Sequence, residues 1–145
     1  MKKMHSWSPI IRRLAREAAW APAAVLVLHL VAGALFGHEP VVDPVMHLLG
    51  GIAAAYFFRR ASSIAGLLLG APTRLGSDLL AFGLTSAAAL FWEIGEFALD
   101  RLARTNTQGD LGNTMRDLIF GVTGAIVYLA AARLAARDGA RGPEV

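Results

Sequence analysis

The chain has 145 residues, 55% of them hydrophobic and only 17% charged, and a mean hydropathy of +0.49: one small domain, too apolar to be an ordinary soluble one. It contains no Cys, which excludes both a disulfide framework and a thiolate metal site. The net charge of +3 matters through its placement: Lys and Arg gather at the two ends and in the middle loop, a membrane topology signal without the aromatic-interleaved stripe of a nucleic-acid binder, so nucleic acid is set aside as a partner.

Residues 1–20 predict an amphipathic interfacial helix. Ser8 is placed to cap it, Pro9 opens it, and Ile10, Ile11, Leu14 and Ala18 share one face with Arg12, Arg13 and Arg16 largely off it. The first apolar run, 21–37, is interrupted only by His29 and is just long enough to span a membrane with its flanks. A cleaved signal peptide is the rival reading of this run, and the long amphipathic lead-in argues against it. His38-Glu39-Pro40 breaks the run, and Asp43-Pro44 reads as an N-cap acid followed by proline in the first turn of a second span, 44–60. That span carries His47 and ends in Tyr56-Phe57-Phe58-Arg59-Arg60, an aromatic belt followed by paired cations. Residues 62–71 are apolar but short, consistent with an interfacial or re-entrant piece or with an extension of the same helix past the arginines.

A third span, 78–102, is expected to be capped by Ser77 or Asp78, and a fourth, 115–134, by Thr114 with Asp117 in capping-box position. Residues 137–145 read as a disordered tail. There is no internal repeat. The expected fold is thus an all-α membrane protein: four transmembrane helices behind an amphipathic N-terminal helix, with Gly33/Gly37 and Gly66/Gly70 spacings that would allow a homo-oligomer.

The third span holds the most informative residues. Glu93, Glu96 and Asp100 fall within about 60° of one another on a helix, so one face of an otherwise apolar segment carries three carboxylates. A charge near the centre of a membrane helix costs roughly 2.5–3.5 kcal/mol, so such acids face a bundle interior and mark a site or a buried network. Four spans would put both termini on one side with eleven of the cations, leaving Arg101, Arg104 and Arg116 on the other. The positive-inside rule then places both termini in the cytoplasm of a bacterial inner membrane. The acids divide the opposite way. His47, Glu93, Glu96, Asp110 and Asp117, with Asp43, Asp100, His38 and Glu39 beside them and His29 at the floor, are expected to converge on one outward-facing pocket.

Such a pocket suits a divalent metal, with Mg²⁺ or Mn²⁺ favoured by the oxygens and Zn²⁺ by the imidazole. Asp43 with His47 at i, i+4 and Glu93 with Glu96 at i, i+3 have the paired spacing that bundle metal sites use. The expected ligands are His47, Glu93, Glu96, Asp110 and Asp117, with Glu93, Glu96 and Asp117 as acid/base groups and Asp43, Asp100, Thr107, Gln108, Asn113 and His29 in supporting or capping roles. The leading expectation is a metal-dependent site acting on, or sensing, an envelope lipid or lipid-linked headgroup. The rival is a noncatalytic small subunit or scaffold whose buried acids fix helix packing and dock it to a larger membrane complex. A proton-coupled carrier is discouraged by the small size and the lack of repeated broken helices.

The block Thr107-Gln108-Gly109-Asp110, followed by Thr114, Asp117 and Gly124-Ala125, resembles the signature of the YjdF-type bacterial inner-membrane proteins. Asp43 with His47 and then Gly51, and Glu93 with Glu96, stand in the order of that family's D-x-x-x-H and E-x-x-E elements, and the likeness covers roughly residues 43–125. More distantly the chain is similar to VanZ-like proteins, a membrane bundle with an early His and an acid at the start of the last helix. Two departures are visible: Gly112-Asn113 stands where the family has Trp-Asp, and one span precedes the Asp-His helix where the family has several. The resemblance implies the pocket without a reaction, and the VanZ likeness implies a role at the cell envelope.

Overall fold

The computed structural model describes residues 7–36, 41–105 and 107–140. Five helices follow one another: α1 (Trp7–Glu17), α2 (Trp20–Phe36), α3 (Val42–Leu69), α4 (Arg74–Ala103) and α5 (Leu111–Ala140). There is no strand among the described residues. The central element is α3, which packs against each of the other four helices.

The crossing of α3 and α5 is the tightest in the molecule and rests on glycine. A Cβ on Gly51 would collide with the Gly121 carbonyl, and one on Gly124 would collide with the Leu48 carbonyl, so the two backbones touch where a larger residue would hold them apart. Small residues dominate the rest of the core as well, with Ala18, Ala53, Ala55, Ala81 and Ala125 buried beside Met46 and Ile64. Large apolar side chains lie outside instead, among them Leu30, Leu79, Phe91, Ile94, Ile119 and Val127. The buried side chains include Asp78, Thr85, Glu93 and Asp117. Apolar surface outward and polar groups inward is the pattern of a protein solvated by lipid. Within α4, Thr85 and Ser86 donate their hydroxyls to the carbonyls of Ala81 and Phe82 one turn back, which keeps them satisfied without water.

Two helices, α4 and the stretch Leu111–Asp138 of α5, are long and apolar enough to cross a membrane, and α1 with α2 makes a third if the pair, bent by 50°, counts as one span. At 30 residues each, α4 and α5 are ~45 Å long, more than the ~30 Å hydrocarbon core requires. The expectation of four spans is therefore not met by length and apolarity alone. The shortfall lies in α2, with only 17 residues, and in α3, whose apolar run is interrupted by Asp43, His47, Arg59 and Arg60.

Several boundaries differ from those expected. α1 turns Leu14 toward the bundle, and Ala18, just past its end, is buried, but Ile11 is exposed. It docks through Glu17, which accepts from Arg13 at 2.8 Å and Arg60 at 2.7 Å, while the Tyr56 hydroxyl donates to the Glu17 carbonyl at 2.6 Å. α3 starts at Val42, so Asp43 sits in its first turn without capping it. The helix passes Arg59-Arg60 and runs to Leu69, so 62–69 is an extension of it. Gly70, at φ +93°, ends it with a hydrogen bond to the Gly66 carbonyl, and the Gly66/Gly70 pair thus serves an intrachain turn. Thr73, not Ser77 or Asp78, caps α4, accepting from the Gly76 amide at 3.0 Å. Asp110, not Thr114, opens α5, accepting from the Asn113 amide at 2.8 Å. α5 extends to Ala140, past the point where a disordered tail was expected. Residues 1–6, His38, Glu39 and the end of the tail lie outside the described residues.

Candidate functional site

His47 is carried into the bundle on the second turn of α3 and meets a carboxylate from each of three helices. Its Nε2 lies 3.9 Å from Oδ1 of Asp43, one turn earlier on α3, and 4.0 Å from Oδ2 of Asp117 on α5. Its Nδ1 faces Oε1 of Glu93 on α4 at 3.7 Å. All three distances exceed a hydrogen bond. His47 Nε2 and both carboxylate oxygens of Glu93 are buried without any hydrogen-bond partner, although Glu93 is only 2% exposed. Buried polar atoms are nearly always paired, because leaving one unpaired costs about 1–3 kcal/mol and more for a charge.

Ligand atoms from Asp43, His47 and Asp117 all lie within 4.8 Å of one another. Metal–ligand bonds to nitrogen and oxygen run about 2.0–2.6 Å, so two donors on one ion can be up to ~4–5 Å apart. The spacing around Nε2 is within that reach.

Asp117, fully buried, is held from behind. Asn113, one turn earlier on α5, donates Nδ2 to Asp117 Oδ2 at 2.7 Å and to the Gln108 carbonyl at 2.9 Å. Arg116 lies 3.5 Å from Asp117 Oδ1 and also bonds the Asn113 side-chain oxygen. The Gln108 carbonyl is positioned in turn by Asp100 at the end of α4. That carboxylate accepts from the Thr105 hydroxyl at 2.6 Å, from the Thr107 amide and hydroxyl at 2.7 Å each, and from the Gln108 amide at 3.0 Å. Gly109 completes the turn at φ +70°, where a side chain would be strained and would press on Asn113. A continuous chain of hydrogen bonds thus links the α4–α5 loop to the carboxylate beside His47.

The other candidate acids stand apart from this centre. Glu96 accepts from the indole of Trp92 on its own helix at 2.7 Å, and Asp110 is exposed at the start of α5. His29 on α2 sets its ring edge-on to Trp92 at 5.4 Å and to His47 at 6.3 Å between centroids. Below these rings lies a cavity of about 270 Å³, with His29, His47, Gly50, Ala54, Ala88 and Trp92 among its walls.

Toward the other end of α3, Asp78 accepts from Arg59 at 2.8 Å and from Arg133 at 2.7 Å, tying α3, α4 and α5 together. The sequence offers Asp78 as a cap and Arg116 as one of three outer cations with which the acids could pair. The pairings themselves are not visible there: Arg59, Arg133 and Arg116 stand in the sequence only as cations near the ends of spans.

A helical bundle with a lipid-facing apolar exterior and acids turned inward defines a membrane protein of α-helical type. The chain belongs to the family described as Predicted membrane protein (DUF2238), which matches residues 10–138. It is 34% identical over 106 residues to an uncharacterized protein of Thermotoga maritima, covering 67% of this chain and 52% of the relative. The chain thus spans about half the length of that curated relative. No solved structure matches the chain.

Proposed function

We propose that His47, Asp43 and Asp117 hold a divalent cation, with Glu93 beside the imidazole as fourth ligand or acid/base group, and that this centre acts on or senses the headgroup of an envelope lipid. The observation carrying the reading is the unpartnered His47 Nε2, nearly enclosed, with oxygens of two acids from two helices about 4 Å away. A mixed set of carboxylates and one imidazole suits Mn²⁺ or Zn²⁺. A bound cation would offset the excess of buried negative charge, and it would supply a Lewis acid for a phosphoryl or ester oxygen. The protein's own share is to fix the ligands, through Asn113, Arg116 and Asp100, and to present Glu93 as a proton acceptor or donor in a dry setting.

In this reading the bundle spans the inner membrane four times, over about 21–37, 44–60, 78–102 and 115–134, with α1 on the cytoplasmic surface and both termini inside. The uneven distribution of Lys and Arg supports that orientation. The YjdF-type likeness fits as well, since its Thr107-Gln108-Gly109-Asp110 block is the loop that orients Asn113.

Metal content of detergent-purified protein, measured by elemental analysis beside His47→Ala and Asp117→Asn, tests the reading. It requires close to one ion per wild-type chain and at least a tenfold loss in both variants, each still monodisperse and helical. Wild-type protein without metal after reloading with Mn²⁺, Mg²⁺ and Zn²⁺ would end it.

A second reading, the noncatalytic subunit whose acids fix packing, draws on Asp78, where a buried acid joins three helices through two arginines. It calls for misfolded rather than metal-free His47 and Asp117 variants.

A further inference from the structure

The cavity beneath His47 has no role in the metal site itself. It lies between α2 and α4, with α3 as its back wall. Among the described residues α2 packs on α3 and α1 and does not approach the backbone of α4. The rings of His29 and Trp92 bridge that gap at one end. From there the cavity extends along the helices to the level of Pro22, Ala54 and Thr85. Each of those residues is seven positions from His29, His47 or Trp92 on its own helix, which gives a length of roughly 10 Å.

The walls are almost entirely apolar and are kept open by small residues, Gly50, Ala54 and Ala88. The polar exceptions are Thr85, whose hydroxyl is satisfied by the Ala81 carbonyl, and the end formed by His29 and His47, the latter with its side chain 9% exposed and Nε2 unpartnered. An apolar slot beside a lipid-facing helix, closed at one end by an unpartnered polar group, has the polarity of a lipid, with a headgroup at one end and a chain at the other.

With the termini inside, the His47 end of the slot is the one nearer the outer face, because Asp43 and Asp117 stand close to the outer starts of α3 and α5, and the slot runs inward from it, reaching past the middle of α4 at Thr85. Its length is about two thirds of one ~15 Å leaflet. Water would find few partners there, since a hydrated cavity needs several polar groups.

We infer that this slot seats one acyl chain of a phospholipid, entering between α2 and α4, with the headgroup at the His47 centre. The inference rests on the reading of that centre as a headgroup site and names its substrate class as a lipid taken by its chain.

Gly50 provides the test, because a Cβ there meets nothing within 4 Å, so Gly50→Leu fills the slot without forcing the helices apart. Gly83 is equally open but does not line the slot, and Gly83→Leu is the control. Ala88→Leu, from the opposite wall, serves should Gly50→Leu fail to fold. Full-length proteins in detergent are titrated with dioleoylphosphatidylglycerol and read by native mass spectrometry, with metal content measured on the same samples. One lipid is expected to stay on wild type and Gly83→Leu, with occupancy at least tenfold lower for the slot-filling variant. Equal retention by that variant, or no retained lipid on wild type, overturns the inference. Metal content separates the two ideas: metal with unchanged lipid retention removes the slot alone, whereas lipid loss on filling the slot in metal-free protein removes the metal alone.

Discussion

His47 is surrounded by groups that cannot satisfy one another at their present separations, and the residue controlling that separation is Asn113. Its amide holds Asp117 on one side and the loop carbonyl of Gln108 on the other. Partners that orient a ligand typically change metal affinity 10–100-fold. On the metal reading, Asn113→Ala therefore weakens binding by about that factor while leaving stoichiometry at saturation unchanged, as isothermal titration with Mn²⁺ or Zn²⁺ would measure. Glu93 and Glu96 show how far sequence reaches at this scale. Helical spacing puts both on one side of α4, but only Glu93 continues the buried stripe of Asp78, Ala81 and Thr85. The rotation of α4 about its axis decides between them. That rotation is fixed by packing against α3 and α5 and leaves no mark in the local pattern.

At the scale of elements, the α3–α5 crossing sets how closely His47 and Asp117 can approach. Gly124→Val would place a branched side chain against the Leu48 carbonyl and is expected to lower stability by about 1–3 kcal/mol, seen as a lower unfolding midpoint in detergent. Gly33→Val, where a Cβ meets nothing within 4 Å, should change that midpoint little. The docking of α1 depends on pH. Arg13 above all, with Arg60 beside it, holds the partly exposed Glu17 carboxyl below its usual range. A depressed carboxyl stabilises the docked helix above the ordinary Glu value and loses that contribution as pH falls through the lowered one. Hydrogen exchange in α1 should thus show protection at neutral pH that declines in acid. The helices themselves were legible from runs of apolar residues and turn signals. The extent of α3 was legible only as one alternative among those left open for 62–71, because Arg59 and Arg60 read as the end of the span. Asp78 neutralises Arg59 from another helix and Glu17 pairs with Arg60, so the chain continues through both. Caps shifted for a related reason: Asp78 and Asp117 have the residue type of a cap but are drawn inward by arginines and by Asn113, leaving Thr73 and Asp110 to start the helices.

The whole molecule inverts the usual distribution of polarity, and its most connected helix has charged side chains within its length. α3 carries Asp43, His47, Arg59 and Arg60 and fails the apolarity that α4 and α5 meet, yet every other helix leans on it. This has a consequence for biogenesis. A segment so charged is a poor client for the insertion machinery when it emerges, since each central charge is resisted by roughly 2.5–3.5 kcal/mol. Arg60 has an upstream partner in Glu17, but Asp78, which pairs with Arg59, and Glu93 and Asp117, which face His47, are encoded downstream. On the proposed four-span reading, α3 is therefore expected to settle across the bilayer only after α4 and α5 have been synthesised. A chain cut after residue 72 should leave α3 accessible to protease or to a glycosylation reporter, whereas the same segment in the full chain is protected.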